Sequence, residues 1–414
     1  MKFDLNSWEE IFITLSRNKS RSLLTAFGVF WGIFMLLVLI GLGGGLKQSM
    51  AANFEGANEN ASFMMSRRTS LAYKGFQKGR RWSLDNSDIY RLKGIEGVSI
   101  VCPVLTQWGV TVVYQDRKSN VSMMGTEPSY NQIQAQSLLY GRYINSIDVA
   151  EKRKVCLIGI QVYRDLFQPN ENPLGKQIKV GSAYFQIVGV VDGGRGQISF
   201  AGNPEQLVTL PFSTMQMLYN RGSNIDVLAL AGSKEKSMTQ LQEVIELNIK
   251  ENHLISPKDP QALFFFNTEA MFTMTAGLFS GINILIWLVG LGTLFAGIIG
   301  VSNIMMVTVK ERTTEFGIRR AIGALPQDIL SQVMLESVVI TIISGTVGLF
   351  FSVAILSGVE QVANMGSEHF ISYQVSFGVA IGTLLTLGFL GLLAGLFPAY
   401  RALAIKPIDA IREE

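Results

Sequence analysis

The sequence predicts an α-helical membrane protein with four transmembrane helices in a 1+3 arrangement and a large α/β extracytoplasmic domain inserted between helices 1 and 2. Three observations predict it. Four long apolar stretches, roughly Leu23–Leu46, Leu278–Val309, Val333–Val359 and Val375–Tyr400, carry almost no charge. Each is long enough to cross about 30 Å of hydrocarbon at about 1.5 Å per residue. About 230 residues of mixed composition separate the first stretch from the other three. Finally, Lys and Arg crowd on one side of the stretches.

That asymmetry sets the expected orientation. Lys2, Arg17, Lys19 and Arg21 precede the first stretch; Lys310, Arg312, Arg319 and Arg320 lie between the second and third; Arg401, Lys406 and Arg412 follow the fourth. The loop around Glu360–Tyr373 holds no Lys or Arg. Positive-inside logic puts both termini and the 2–3 loop in the cytoplasm, and the segment 47–277 outside. That segment holds 24 Lys+Arg and 20 Asp+Glu, and long domains translocate regardless of such charge. The expected division is a cytoplasmic amphipathic helix (1–22), spans at 23–46, 278–309, 328–359 and 375–400, the outer domain (47–277), a cytoplasmic loop (310–327), a short outer loop (360–374) and a cytoplasmic tail (401–414).

At the N-terminus, Trp8, Ile11, Phe12 and Leu15 recur at i, i+3, i+4 and i+7, one apolar stripe of a helix. Ser7 and Glu10 form a capping-box pattern at its start, and Arg17, Lys19 and Arg21 suit its C-terminal end and anionic headgroups. The helix is expected on the inner membrane surface. The first span is expected to be retained rather than cleaved, because its apolar run exceeds the usual 7–15 residues of a signal peptide.

The outer segment reads as mixed α and β. Strand candidates are Val98–Val104, Gly109–Tyr114, Ser119–Met124, Lys154–Ile158, Gln177–Val180, Tyr184–Val191, Gln206–Pro211 and Ile225–Ala231. Helix candidates are Asn86–Lys93, Gln161–Leu166, Ser213–Tyr219 and Ser233–Glu251, the last with Met238, Leu241, Ile245 and Ile249 on one stripe. Two lobes are expected, one of them discontinuous. Cys102 and Cys156 sit in apolar contexts, as two buried free thiols would. The stretch Phe63–Trp82 carries Arg67, Arg68, Lys74, Lys78, Arg80 and Arg81 without an acid, interleaved with Tyr73, Phe76 and Trp82. Such a run is usually an exposed face; it also suits lipid headgroups or a partner.

The second span, 32 residues or about 48 Å, exceeds the hydrocarbon and is expected to tilt or project. In the loop after it, Ile318, Ala321, Ile322 and Leu325 share one arc of a helix, while Arg312, Glu315, Arg319 and Arg320 occupy the other, with Phe316 among them. Gly323 is a helix stop and Pro326 a helix start. The expected element is a short amphipathic helix on the membrane surface, presenting its charges and one aromatic to the cytoplasm. Glu336, early in the third span, is expected to pair with a nearby base such as Arg319 or Arg320.

Composition closes other routes. A hydrophobic fraction of 48%, 41 Gly and a mean hydropathy of +0.29 suit helices packed in lipid. The net charge of +3 gives no argument for nucleic acid. Two His residues, His253 and His369, stand far apart, and no HExxH, CxxC or GxSxG occurs. The Gly-Lys of NPLGKQI (Asn172–Ile178) lacks the rest of a phosphate-binding loop and reads as a turn into a strand.

The loop ERTTEFGIRRAIGA (Glu311–Ala324), the closing GLFPAYRALAIKPIDAIREE (Gly395–Glu414), the N-terminal amphipathic pattern and the 1+3 arrangement together resemble the permease subunits of the MacB/FtsX-like ABC transporter family, over nearly the whole chain. The resemblance implies that the loop is a coupling helix docking in a groove of an ATPase, with Arg312, Glu315, Phe316, Gly317, Ile318, Arg319 and Gly323 in it and Gly317 allowing close approach. About 22 residues precede the first span and no P-loop is present, so the ATPase is expected on a separate polypeptide, which would bind ATP and Mg; no cofactor is expected on this chain. The resemblance further implies a homodimer, or a heterodimer with a second permease, in the inner membrane. Such a dimer works by mechanotransmission and exports a substrate through a periplasmic adaptor and an outer-membrane channel. Lipoprotein release, control of a cell-wall hydrolase and, from another class, a signalling or adhesion anchor without an ATPase stay open.

Overall fold

The computed structural model describes residues 19–52, 56–193, 200–365 and 370–403. The expected surface helix with Trp8, Ile11, Phe12 and Leu15, the tail beyond 403 and His369 lie outside the described residues. The chain divides into two compact units, Met1–Ser49 with Leu278–Glu414, and Met50–Gly277.

The membrane unit is helical. Among the described residues, four helices are long and apolar enough to cross a membrane: α1 (Lys19–Ala52), α8 (Thr268–Glu311), α10 (Pro326–Asn364) and α11 (Phe377–Leu403). Helix α8 has 44 residues, about 66 Å, roughly twice the hydrocarbon thickness. The spans pack through small residues. A Cβ added at Gly297 of α8 would lie 3.1 Å from the Gly28 carbonyl oxygen of α1, and one at Gly395 of α11 would lie 2.9 Å from Ser337 Oγ of α10. In lipid, where tails are as apolar as Leu, such close approach supplies the packing that holds helices together. Val29, Ile33 and Leu37 of α1 meet Val301 and Met305 of α8, Val333 of α10 and Ala399 and Ala402 of α11 in one buried cluster.

The outer unit is built on a ten-stranded sheet in the order β12-β1-β11-β3-β4-β9-β6-β8-β5, with β7 pairing β3 and β8. The strands are β1 (Ala61–Ser66), β3 (Val98–Tyr114), β4 (Arg117–Thr126), β5 (Ser137–Gly141), β6 (Val155–Gly159), β7 (Gln177–Val180), β8 (Ala183–Asp192), β9 (Leu207–Pro211), β11 (Val227–Gly232) and β12 (Leu263–Asn267); β2 (Leu84–Asp85) and β10 (Asn224–Ile225) pair apart from it. Eight predicted strands are present with shifts at their ends. The two predicted on either side of Trp108 are one strand, β3, whose register shifts between Gln107 and Val110. The first half of β3 pairs with β11 and its second half with β4. The expected two lobes are therefore halves of one continuous sheet joined by that strand.

Helices α2 (Asn86–Lys93), α5 (Ile160–Leu166), α6 (Phe212–Leu218) and α7 (Met238–Asn252) match the predicted four; short α3 (Tyr130–Ile133) and α4 (Ser146–Ala150) were not foreseen. Helix α7 starts five residues later than predicted because Ser237 caps it, accepting from Gln240 N while Gln240 caps in return. Its stripe Met238, Leu241, Ile245 and Ile249 is buried in the main core. Cys102 and Cys156 are free and buried, and desolvation raises the pKa of both thiols.

Candidate functional site: the helix between the second and third spans

The ERTTEFGIRRAIGA loop forms helix α9 (Thr313–Ala321). Arg312 breaks the backbone between α8 and α9 at φ −98°, ψ 15°. The far end closes on Gly323 at φ +107°, with Ala324 N donating to Arg319 O at 3.0 Å and Gly323 N to Arg320 O at 3.2 Å. That left-handed turn is what a glycine there permits. Pro326 then starts α10, and the Asp328 carboxylate accepts Leu325 N at 3.2 Å. Stop and start fall where the sequence predicted them.

One residue of α9 departs from the expected arrangement. Phe316 is 1% exposed and belongs to the membrane unit's core, and Gly317 is buried beside it. Phe316 is therefore not presented to the cytoplasm. The charged side chains turn toward α10 and α11. Arg312 Nε and Nη2 donate to the two oxygens of Glu315 at 2.8 and 2.9 Å, and Arg312 Nη1 donates to Glu336 Oε1 at 2.8 Å. Glu336 is 4% exposed. The Arg312 guanidinium also lies 5.0 Å from the Phe316 ring centroid, a cation–π contact. Arg319 pairs with Glu315 at 2.8 Å and donates to Gln332 Oε1 at 3.0 Å; Arg320 donates to the Leu403 carbonyl at 2.9 Å. The apolar arc is what remains outside: Ile318, Ile322 and Leu325 are exposed, Ile322 at 82%. The physical reason is that α10 and α11 offer a carboxylate, an amide and a terminal carbonyl, which only the charged face can satisfy. The wheel identified which residues share a side and not which side is covered.

Glu336 does have a basic partner, as expected of an ionisable group inside a span, in Arg312. Burial opposes the charge on Arg312, but its hydrogen bonds to Glu315 and the attraction of Glu336 outweigh that and raise its pKa. The arrangement binds α9 to α10 through two arginines and to α11 through a third. It holds no nucleophile beside a base and no metal-ligand set.

A second polar group was invisible to sequence spacing. Asp85, Asp88 and His253 gather at the start of α2. The fully buried Asp88 accepts from Asp85 N at 2.9 Å, Asn252 Nδ2 at 2.7 Å and is in contact with His253 Nε2 at 2.8 Å; Asp85 caps Ser87. Its hydrogen bonds make it a helix cap tied to the end of α7.

Comparison with known proteins agrees with this layout. Residues 22–247 match the MacB-like periplasmic core domain and residues 287–407 the FtsX-like permease C-terminal domain. The chain is 27% identical over 409 residues to the macrolide export ATP-binding/permease protein MacB of Bdellovibrio bacteriovorus, covering 97% of this chain and 61% of that one. It is also 27% identical to the uncharacterized ABC transporter permease YknZ of Bacillus subtilis, covering 96% of each. The chain thus spans about three fifths of the length of the MacB relatives it matches. The periplasmic region of MacB from Actinobacillus actinomycetemcomitans covers 55% of this chain at 19% identity, with a TM-score of 0.44. A core domain matched over more than half the chain, followed by the permease domain and joined to four apolar helices, places this multi-pass membrane protein in the MacB/FtsX-like family of ABC transporter permeases.

Proposed function

We propose that the chain is the permease subunit of an ABC transporter that works by mechanotransmission. A separate cytoplasmic ATPase binds ATP and Mg, closes on hydrolysis-competent nucleotide and pushes α9, and the push moves the outer domain to drive export of a substrate already outside the inner membrane. Both termini and α9 then lie in the cytoplasm. Two permeases, identical or related, complete the unit, and a periplasmic adaptor with an outer-membrane channel receives the cargo.

The observation that carries the reading is the two-sided character of α9. Its outer side is an apolar ridge of Ile318, Ile322 and Leu325, the kind of side chain that fills a partner's groove. Its inner side is fastened to α10 and α11 by Arg312, Arg319 and Arg320. A load on the ridge is passed to two spans. The buried ion pair Arg312–Glu336 lies at this end of the membrane unit rather than in the middle of a span. That favours transmitted movement over conduction of cargo through lipid.

The test is co-expression with the ABC ATPases of the same cell and co-purification in detergent. Ile318→Glu with Ile322→Glu should cut ATPase retention roughly tenfold or more, the effect of about 1.4 kcal/mol, with membrane insertion unchanged. Arg319→Glu should retain part of the binding and lose stimulated hydrolysis. Undiminished binding and normal ATP-driven activity in both variants would sink the assignment of α9.

A further inference from the structure

We propose that the basic hairpin of the outer domain, Arg67–Trp82, is a docking surface for an acidic protein partner, one that sets Asp or Glu carboxylates around an apolar patch. The inference goes beyond the ATPase reading and does not depend on it.

Six cations and no acid fall within these residues. Blocks of like charge repel one another and are ordinarily disordered. This one is built. Thr69 N donates to Arg80 O at 3.2 Å and Gly79 N to Thr69 O at 2.7 Å, and Tyr73 and Phe76 exchange both backbone bonds at the tip, at 3.0 and 2.9 Å. Its root is pinned by Asp259, fully buried, whose carboxylate accepts Ser70 N, Ser70 Oγ and Leu71 N at 2.8, 2.6 and 3.0 Å. Trp82 Nε1 donates to Ala262 O at 3.2 Å. Two arginines are held on aromatic faces: Arg67 is 4.5 Å from the Phe264 centroid and Arg80 4.1 Å from that of Phe76.

Order has been achieved without neutralising the charge. Among the described residues, no carboxylate pairs with any of the six cations. Arg68, Lys74, Lys78 and Arg81 are exposed, together with Leu71 and Phe76, each at 42%. Fixed guanidinium groups beside exposed aromatic and aliphatic side chains have the composition of a protein interface, and the missing counter-charge is what a carboxylate-bearing surface supplies. The ordered frame favours a protein over lipid headgroups, because guanidinium groups held at fixed positions match a fixed set of carboxylates. The hairpin leaves β1 at Ser66, opposite Leu263 of β12.

The test uses the full chain in phosphatidylcholine nanodiscs and, as probe, a fluorescein-labelled peptide of Glu interspersed with Leu and Phe, followed by anisotropy at physiological salt. The quadruple variant Arg68→Ser, Lys74→Ser, Lys78→Ser, Arg81→Ser changes only exposed side chains. It should weaken binding about tenfold or more, and Phe76→Ser about threefold, with ATPase co-purification unaffected. A peptide with Lys in place of Glu should not bind. Equal affinity in the quadruple variant would overturn the proposal. So would a loss that ignores Phe76, which is diffuse ionic attraction, or hairpin-dependent binding of phosphatidylglycerol vesicles without binding of the peptide, which is a headgroup surface.

Discussion

Two arginine–phenylalanine contacts in this molecule are built alike and finished differently. Arg312 lies over Phe316 at 5.0 Å and Arg80 over Phe76 at 4.1 Å. Around the first, Glu315 and Glu336 close on the guanidinium and the ring is 1% exposed. Around the second no carboxylate closes and the ring is 42% exposed. The difference teaches how to read charge in this chain. Where cations are answered internally, as on α9, they fix an element in place and leave its apolar side to meet a partner. Where no carboxylate answers them on an ordered frame, as on the hairpin, with Arg80 donating to the carbonyls of His253 and Leu254, the charge itself is the surface on offer.

The comparison predicts its own largest effect. Phe316→Ala removes a fully buried ring from the membrane unit's core and should cost about 3–5 kcal/mol. Phe76→Ala removes a half-exposed ring and one cation–π contact and should cost below about 1 kcal/mol. Thermal unfolding of the detergent-solubilised chain separates the two. Equal losses would mean that Phe316 is less enclosed than its contacts indicate.

Next in size is the buried charge. Glu336→Gln leaves Arg312 with Glu315 alone in a mostly dry site and should destabilise by about 3 kcal/mol, the low end for breaking a buried pair. Removing both charges at once, Arg312→Leu with Glu336→Leu, should recover most of that, because apolar replacement of a buried pair is often neutral. If stability returns while ATPase stimulation does not, the pair serves to brace α9 rather than to hold the fold. A double variant as unstable as the single one would break the contrast with the hairpin, where neutralising exposed cations should shift stability by no more than about 0.5 kcal/mol.

These partners also show where sequence reading stops. Spans, most strands and the α7 stripe were legible because hydrophobic period and length are local. Gly323 and Pro326 were legible because each has a backbone conformation of its own. Strands β1 and β12, ASFMMS and LFFFN, were missed: each is short, neither alternates, and only pairing with each other and with β11 defines them. Which side of α9 is covered depends on Glu336, 24 residues on from Arg312, and on Leu403, 83 on from Arg320. The Asp88–His253 contact joins residues 165 apart. No periodicity carries such information, and two faces of one helix are equally good readings until the neighbours are known.

The smallest predicted effect is local and set by pH. Burial raises the Asp259 pKa, but the hydrogen bonds from Ser70 and from the backbone of Gln261, Leu71 and Ser70 outweigh it, so the carboxyl is held below the usual carboxylate range. A depressed carboxyl contributes stability that is present above the unfolded pKa, near 4 for Asp, and is lost as pH falls through the folded value. The hairpin root should therefore loosen in acid while the sheet behind it stays intact. Amide hydrogen exchange, corrected for intrinsic rate, should report faster opening at Gly79 and Leu71 at about pH 3 than at about pH 5, with β3 unchanged. In Asp259→Ala the Leu71 amide should exchange quickly at both pH values, since its acceptor is absent throughout, and Gly79, whose acceptor Thr69 O remains, should follow through the loosened root. Protection at Gly79 that is the same at both pH values in the unmodified chain would mean that the strand-like bonds to Thr69 and Arg80 hold the hairpin by themselves, and that its order owes nothing to the buried acid beneath its cations.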